Sequence, residues 1–339
     1  MDLGLTAEQR DVAAAFEHVL DRESSIERVR AAEDAGFDPA LWKALSAMGA
    51  VGAAVPEAAG GSGHGVLELG FLTESLGRHL ACAPLVEAAT AAMLLADASG
   101  QDETLAQILA GGAPVVFCPR PAVDGTAILV PGGSEAQAVV ALDGDRLVLA
   151  RGAPPEAPGD LGFAACADRP LSGDAVERTV VADGERAERL WRSALGRWRL
   201  GTASALVGVA DRALATAVDY AKAREQFGVP IGSFQAIQHS LAQIAMAVDG
   251  ARLLARETAW RHDNADGGWR DAADIAFAHA AETAVRSAET CLHVHGGYGY
   301  ALEYDAQLYL RRAKALQLQA GDPEVIWESI GAATMRRVR

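Results

Sequence analysis

Apolar residues recur at helical spacing from the start of the chain. Thr6, with Gln9 three positions on, makes a capping-box pair, and Val12, Ala15, Phe16, Val19 and Leu20 follow at intervals suited to one helix face. Pro39-Ala40 opens a second predicted helix carrying Leu41, Trp42, Leu45 and Met48. The turn-rich run from Pro56 to Gly63 breaks that pattern, and further helices are predicted over 66–79 and 85–98. Between about 113 and 182 the rhythm shortens to β-like runs at 115–117, 127–130, 138–142, 146–149 and 179–181, separated by Gly, Pro and Asp. These runs predict a small antiparallel β domain. Amphipathic helical periodicity then returns across 190–222, 233–263, 270–293 and 323–336. The order helical, β, helical predicts an α+β protein: a helical domain over 1–112, a shortened β domain over 113–183 and a helical bundle over 184–339.

Composition narrows the partners. With 339 residues, half of them apolar, the chain is long enough for a large core. A net charge of −15 argues against nucleic acid, which needs a concentrated basic surface. No run of apolar residues is long enough for a membrane span, and no leader is evident at the N-terminus. Cys82, Cys118, Cys166 and Cys291 lie far apart without metal-ligand spacing, so free thiols and a cytoplasmic location are expected.

Two segments carry candidate chemistry. Arg224-Glu225-Gln226-Phe227-Gly228 followed by Phe234-Gln235 reads blandly as a helix stop with a glycine C-cap and a last-turn cation. Read functionally, the planar fork of Arg224 suits a pyrophosphate and Phe227 offers an aromatic face. His293-Val294-His295-Gly296-Gly297-Tyr298-Gly299 has paired glycines, which let a backbone approach a ligand where a Cβ would clash. His293 and His295 are two apart and share no helix face, which speaks against a metal site.

These segments resemble the acyl-CoA dehydrogenase family. The first is similar to its R-x-x-F-G…Q pattern, and the second, continuing to Glu303-Tyr304, to its Q-x-x-G-G-x-G-x-x-x-E-Y pattern with His293 at the glutamine. Arg311-Arg312-Ala313-Lys314 through Glu324 resembles R-D-A-K-x-x-x-I-Y-E-G-T-x-E. The register runs from Gly196 to Ala332, with looser agreement at Thr6-Gln9, Ala54-Glu57 and Glu74-Arg78. The resemblance implies a fold of N-terminal helical domain, middle β domain and C-terminal four-helix bundle. It also implies that Arg224, Gln226, Phe227, Gln235, His293, Gly296 and Gly297 reach the FAD of a neighbouring subunit.

The family's catalytic base is missing. The glutamate that removes the substrate α-proton is Ala320 here, and the alternate base position, just before Arg199, is Trp198. Neither side chain accepts a proton. Glu303 and Glu324 match structural positions, and Asp322 is short and starts two residues too late. The family's ring-binding T-E-P-x-x-G-S-D stretch has no counterpart between Val115 and Gly133, and no tryptophan lies between Trp42 and Trp191. The pattern resembles base-less subunits of heteromeric acyl-CoA dehydrogenases of bacterial steroid side-chain catabolism. That implies a heterotetramer with a sister subunit carrying the glutamate, a shared FAD, an acyl-CoA substrate and electron-transfer flavoprotein as acceptor. Two other readings stay open: a homomeric, monooxygenase-like flavoenzyme of the same fold, and a flavin-free scaffold.

Overall fold

The computed structural model describes residues 5–98, 100, 102–156, 159–319, 321 and 323–338. Helix α1 (Ala7–Glu23) opens as its sequence predicts: the Gln9 N–H donates to Thr6 Oγ1 at 3.1 Å, and the Thr6 N–H donates to Gln9 Oε1 at 3.0 Å. A short α2 (Ile26–Ala31), too brief to show periodicity, leads to α3 (Pro39–Ala47). Asp38 caps α3 and also takes the Arg28 guanidinium. Helices α4 (Val66–Arg78) and α5 (Leu85–Ala98) follow as predicted, with an unpredicted α6 (Asp102–Leu109) behind them.

The middle segment holds strands β1 (Val115–Phe117), β2 (Thr126–Val130), β3 (Ala138–Asp143), β4 (Arg146–Arg151), β5 (Ala167–Pro170) and β6 (Glu177–Asp183). The expectation of an antiparallel sheet is corrected at one edge. The four-stranded sheet runs β1-β3-β4-β6, and β1 pairs with β3 in parallel. The cause is topological: β2 leaves to pair with β5 in a separate ribbon, so the chain re-enters beside β1 in the same direction. Strand β5 has no apolar alternation to betray it. Its Arg169 is buried, yet its guanidinium donates to the carbonyls of Gly133, Ala136 and Gly152, which replaces the water it loses.

The C-terminal half is a bundle of α7 (Gly184–Ala223), α8 (Gln235–Asp263), α9 (Trp269–His295) and α10 (Ala306–Gln319), followed by α11 (Pro323–Val338). Helix α10 escapes the periodicity because Arg312 and Gln317 sit on its buried face. Stripes of fully buried alanines, among them Ala210, Ala213 and Ala217 on α7 and Ala276, Ala280 and Ala284 on α9, fill the bundle core. Helix α4 crosses α7 at still closer range: a Cβ on Gly77 would stand 1.8 Å from the Ala205 carbonyl oxygen, and one on Gly208 1.9 Å from that of Glu74. Side-chain-free backbone at that crossing joins the N-terminal domain to the bundle. All four cysteines are free, and burial pushes the Cys118 thiol up to about 11 and those of Cys166 and Cys291 up to about 12.

Where α1 meets the end of α4, the His79 ring lies 3.1 Å from Glu17. That hydrogen bond, with the Ser75 hydroxyl and Arg78 behind it, holds the Glu17 carboxyl at about 2 against the opposing effect of partial burial. A carboxylate depressed in the folded state stabilises the fold above its ordinary value of 4.5 and loses that contribution as pH falls toward 2. The melting temperature of wild type should therefore exceed that of Glu17→Gln at neutral pH. The gap should narrow in thermal melts between pH 4.5 and the acid limit, and a gap constant with pH would contradict the assignment.

Candidate functional site

Helices α7, α8 and α9 run up, down and up, so the C-terminal ends of α7 and α9 meet the N-terminal start of α8 at one end of the bundle. Arg224 caps α7 in extended conformation, its N–H donating to the Tyr220 carbonyl at 2.8 Å. The helix stop is thus at Arg224 and not at a glycine C-cap. Phe227 and Gly228 instead form the turn of a two-residue hairpin between β7 (Glu225–Gln226) and β8 (Val229–Pro230), with φ of 56° and 78°. Such a turn needs two positive φ values, which a glycine adopts freely and a phenylalanine does not. Phe227 bears that cost while 94% exposed, its ring meeting Phe234 edge-on at 6.2 Å. The Gln226 amide donates to the Glu225 carbonyl, and Gln235 is the exposed first residue of α8.

At the end of α9 the two histidines part as their spacing predicts. His295 is buried, with Nδ1 2.8 Å from the Cys291 carbonyl and its ring stacked on Tyr220 at 4.1 Å, which locks α9 to α7. His293 is exposed. Gly296 has φ 63° and ψ −138°, a conformation essentially reserved for glycine. A Cβ at Gly296 or Gly297 would meet nothing of this chain within 4 Å. Any pressure to keep Gly297 bare therefore comes from outside the chain. His293, Gly296 and Gly297 line one groove of about 740 Å³ between α8 and α9, together with Gln243, Arg286 and Tyr300. Arg224, Gln226, Phe227 and Gln235 are not among its lining residues; they stand on the hairpin and at the start of α8. Arg286 went unnoticed in the sequence, although it precedes His293 by seven residues and so shares its helix face.

The region around the alternate base position is closely packed. Ala320 and Asp322 lie outside the described residues, but the neighbouring Gln319 is buried and its carbonyl accepts from Arg120 Nε at 3.2 Å. Trp198 has no exposed surface, lies 6.2 Å from the Phe277 ring and donates its indole N–H to Glu87 Oε1 at 2.9 Å. Arg199 pairs with Asp274 at 2.5 Å. Glu303 and Glu324 are exposed. Burial pushes the Glu87 carboxyl up, so the neutral acid is favoured. Among the described residues it is the one carboxyl lining a cavity of about 60 Å³ that also touches Arg312, Thr202 and Gln319. Sequence reasoning missed Glu87; the signal was a lone acid among the apolar residues that open α5.

Residues 6–113 match the acyl-CoA dehydrogenase N-terminal domain, and residues 189–335 match its C-terminal domain. Acyl-CoA dehydrogenase FadE34 of Mycobacterium tuberculosis is 32% identical over 286 residues, covering 81% of this chain. The chain spans 39% of the length of that relative. Acyl-CoA dehydrogenase FadE27 of the same organism is 30% identical over 379 residues, 95% of each chain. Among solved structures, a variant of the Tcur3481–Tcur3483 steroid ACAD superposes with a TM-score of 0.86 at 25% identity, covering 98% of each chain. Matched in both terminal domains, and along nearly the whole of one relative, the chain belongs to the acyl-CoA dehydrogenase family.

Proposed function

We propose that this chain is the base-less subunit of a heteromeric, FAD-dependent acyl-CoA dehydrogenase, completing the flavin site of a sister subunit while its own pocket stays shut. The contrast between its two sites carries the reading: an open groove of about 740 Å³ beside Gly296 and Gly297, against a cavity of about 60 Å³ beside the indole of Trp198. The groove has room for a nucleotide and offers donors and an aromatic ring, so the adenosine diphosphate end of FAD fits these residues. The small cavity does not fit an isoalloxazine ring.

Bound flavin would supply the hydride acceptor for α,β-desaturation of an acyl-CoA thioester. This chain's residues bind and orient. The Arg224 fork and the Phe227 face meet the dinucleotide, Gly296 and Gly297 let the backbone come close, and His293 gives one hydrogen bond where the family pattern has glutamine. The sister's glutamate would take the α-proton, which the methyl group of Ala320 does not. Trp198 and Glu87 leave this chain's own pocket too small for a flavin ring or a thioester. A steroid side-chain thioester is the proposed substrate class, consistent with likeness to a steroid ACAD, and electron-transfer flavoprotein is the proposed acceptor.

The visible spectrum tests the pairing. Purified alone, the chain should be colourless; co-expressed with its sister, it should carry one flavin per unlike pair that bleaches on adding acyl-CoA. A yellow protein at one flavin per chain would point instead to a self-sufficient flavoenzyme.

The exposed residues give a second check. Arg224→Ala and Phe227→Ala should leave the melting temperature of the isolated chain nearly unchanged, because neither change opens a cavity. In the complex, Arg224→Ala should weaken flavin retention by about tenfold or more, as expected for one lost charge-assisted contact. Unchanged retention on equilibrium dialysis would remove Arg224 from the site.

Restoring the base alone should fail. Ala320→Glu should leave turnover per pair and flavin content where they were, because Trp198 and Glu87 still occupy the pocket. A second flavin per pair in that variant would show that the pocket is not occluded.

A further inference from the structure

Glu17 and Asp21 stand four positions apart on α1 and so share one face of that helix. The same face meets His79, the C-cap residue of α4. His79 Nε2 is 3.1 Å from Glu17 Oε1 and 3.6 Å from Asp21 Oδ1, and the three atoms all lie within 4.8 Å of one another. Among the described residues no other three His, Cys, Asp or Glu side chains converge so closely. Ligand atoms ~2.0–2.1 Å from a tetrahedral ion stand about 3.3–3.4 Å apart, and the two measured spacings bracket that value. A rotation of the Asp21 side chain, 65% exposed, closes the widest gap.

The surroundings suit a divalent ion. The Ser75 hydroxyl donates to Glu17 Oε2, which orients the carboxylate and leaves Oε1 facing His79. Arg78 is the cation beside the group, with Nε 3.6 Å from Glu17 Oε1. Asp211 takes its Nη1 at 2.6 Å, however, and Glu74 stands 3.7 Å from its Nη2. Its charge is therefore met on its other side, and two carboxylates with a neutral imidazole remain to balance a divalent cation. Imidazole together with carboxylates is a zinc-type ligand set, whereas magnesium and calcium take oxygen. The exposure of Asp21 gives the ion an approach and leaves room for a water as fourth ligand.

We propose that Glu17, Asp21 and His79 bind one zinc ion, with water as the fourth ligand. The ion takes the place of the proton shared by Glu17 and His79. It fastens α1 to the end of α4, two residues past Gly77, where α4 crosses α7. Occupancy therefore ties the first helix to the crossing that joins the N-terminal domain to the bundle. The proposal is independent of any role in a partner's flavin site.

Equilibrium dialysis of the untagged full chain against zinc chloride, at fixed pH and ionic strength, tests it. One ion should be retained per chain, and the melting temperature should rise with zinc but not with magnesium chloride at the same concentration. Asp21→Ala, at an exposed helix position, should raise the half-saturation concentration at least about tenfold, because losing even an outer hydrogen bond to a ligand typically costs ~10–100-fold in metal affinity. His79→Asn should abolish retention; should that variant not fold, Asp21→Ala decides. No retained zinc, or retention unchanged in Asp21→Ala, would overturn the site. Crystals soaked in zinc chloride give a direct reading: an anomalous peak between the three side chains supports the proposal, and peaks only elsewhere refute it.

Discussion

The buried indole of Trp198 needs an acceptor for its N–H, and Glu87 meets it at 2.9 Å. Much of the packing between α5 and α7 follows from that contact. An indole fully removed from solvent fills space on the face of α7 toward α5 and Phe277. A carboxyl placed there to accept the hydrogen bond is favoured as the neutral acid, since a buried anion with one donor would be poorly solvated. What remains beside them is water-sized. In the proposed reading loss of a base and loss of a pocket are joined, because the indole at the alternate base position packs against Glu87, which lines the small cavity.

The other end of the bundle obeys an opposite constraint. Phe227 holds a positive φ with 94% of its surface in solvent, and Gly296 sits in a glycine-only conformation facing open space. Neither feature improves the folding of the isolated chain. A strained turn and an uncovered aromatic ring are costs, and they make sense where the stabilisation comes from a ligand or a partner. The stacking of His295 on Tyr220 then has a clear role, fixing the ends of α7 and α9 relative to one another so that the two exposed motifs share one rigid platform.

Legibility in the sequence followed local physics. The capping box at Thr6, the span of α5 and the break before the β segment were readable because each depends on neighbours in the chain. Helix α10 and strand β5 were not, since both bury arginines whose solvation comes from distant carbonyls: Leu80 and Ala81 for Arg312, and Gly133, Ala136 and Gly152 for Arg169. The parallel pairing of β1 with β3 was hidden for a related reason, as it depends on where β2 goes. Of the candidate site, the exposed motifs were legible as residue types, and the base positions were read from the resemblance alone. Glu87 was not, because a single acid in an apolar helix reveals its role only when Trp198, more than a hundred positions away, arrives beside it.

That division bears on how such a chain tolerates change. A pocket that must hold a flavin ring and a thioester constrains volume, hydrogen bonding and charge at once. In the proposed reading, packing an indole beside that space removes the ligand's requirements and leaves ordinary packing ones: close contact and a partner for each buried polar atom. The guanidinium of Arg312 is accommodated in the interior by the ring of Phe163 and by long hydrogen bonds to the Leu80 and Ala81 carbonyls. At the far end, Gly296 and Gly297 in the groove face no atom of this chain within 4 Å, and the Phe227 ring on the neighbouring hairpin is 94% exposed. One fold therefore carries two surfaces under different physical control. The inner one answers to the chain's own stability, and the outer one, in the proposed reading, to what docks against it.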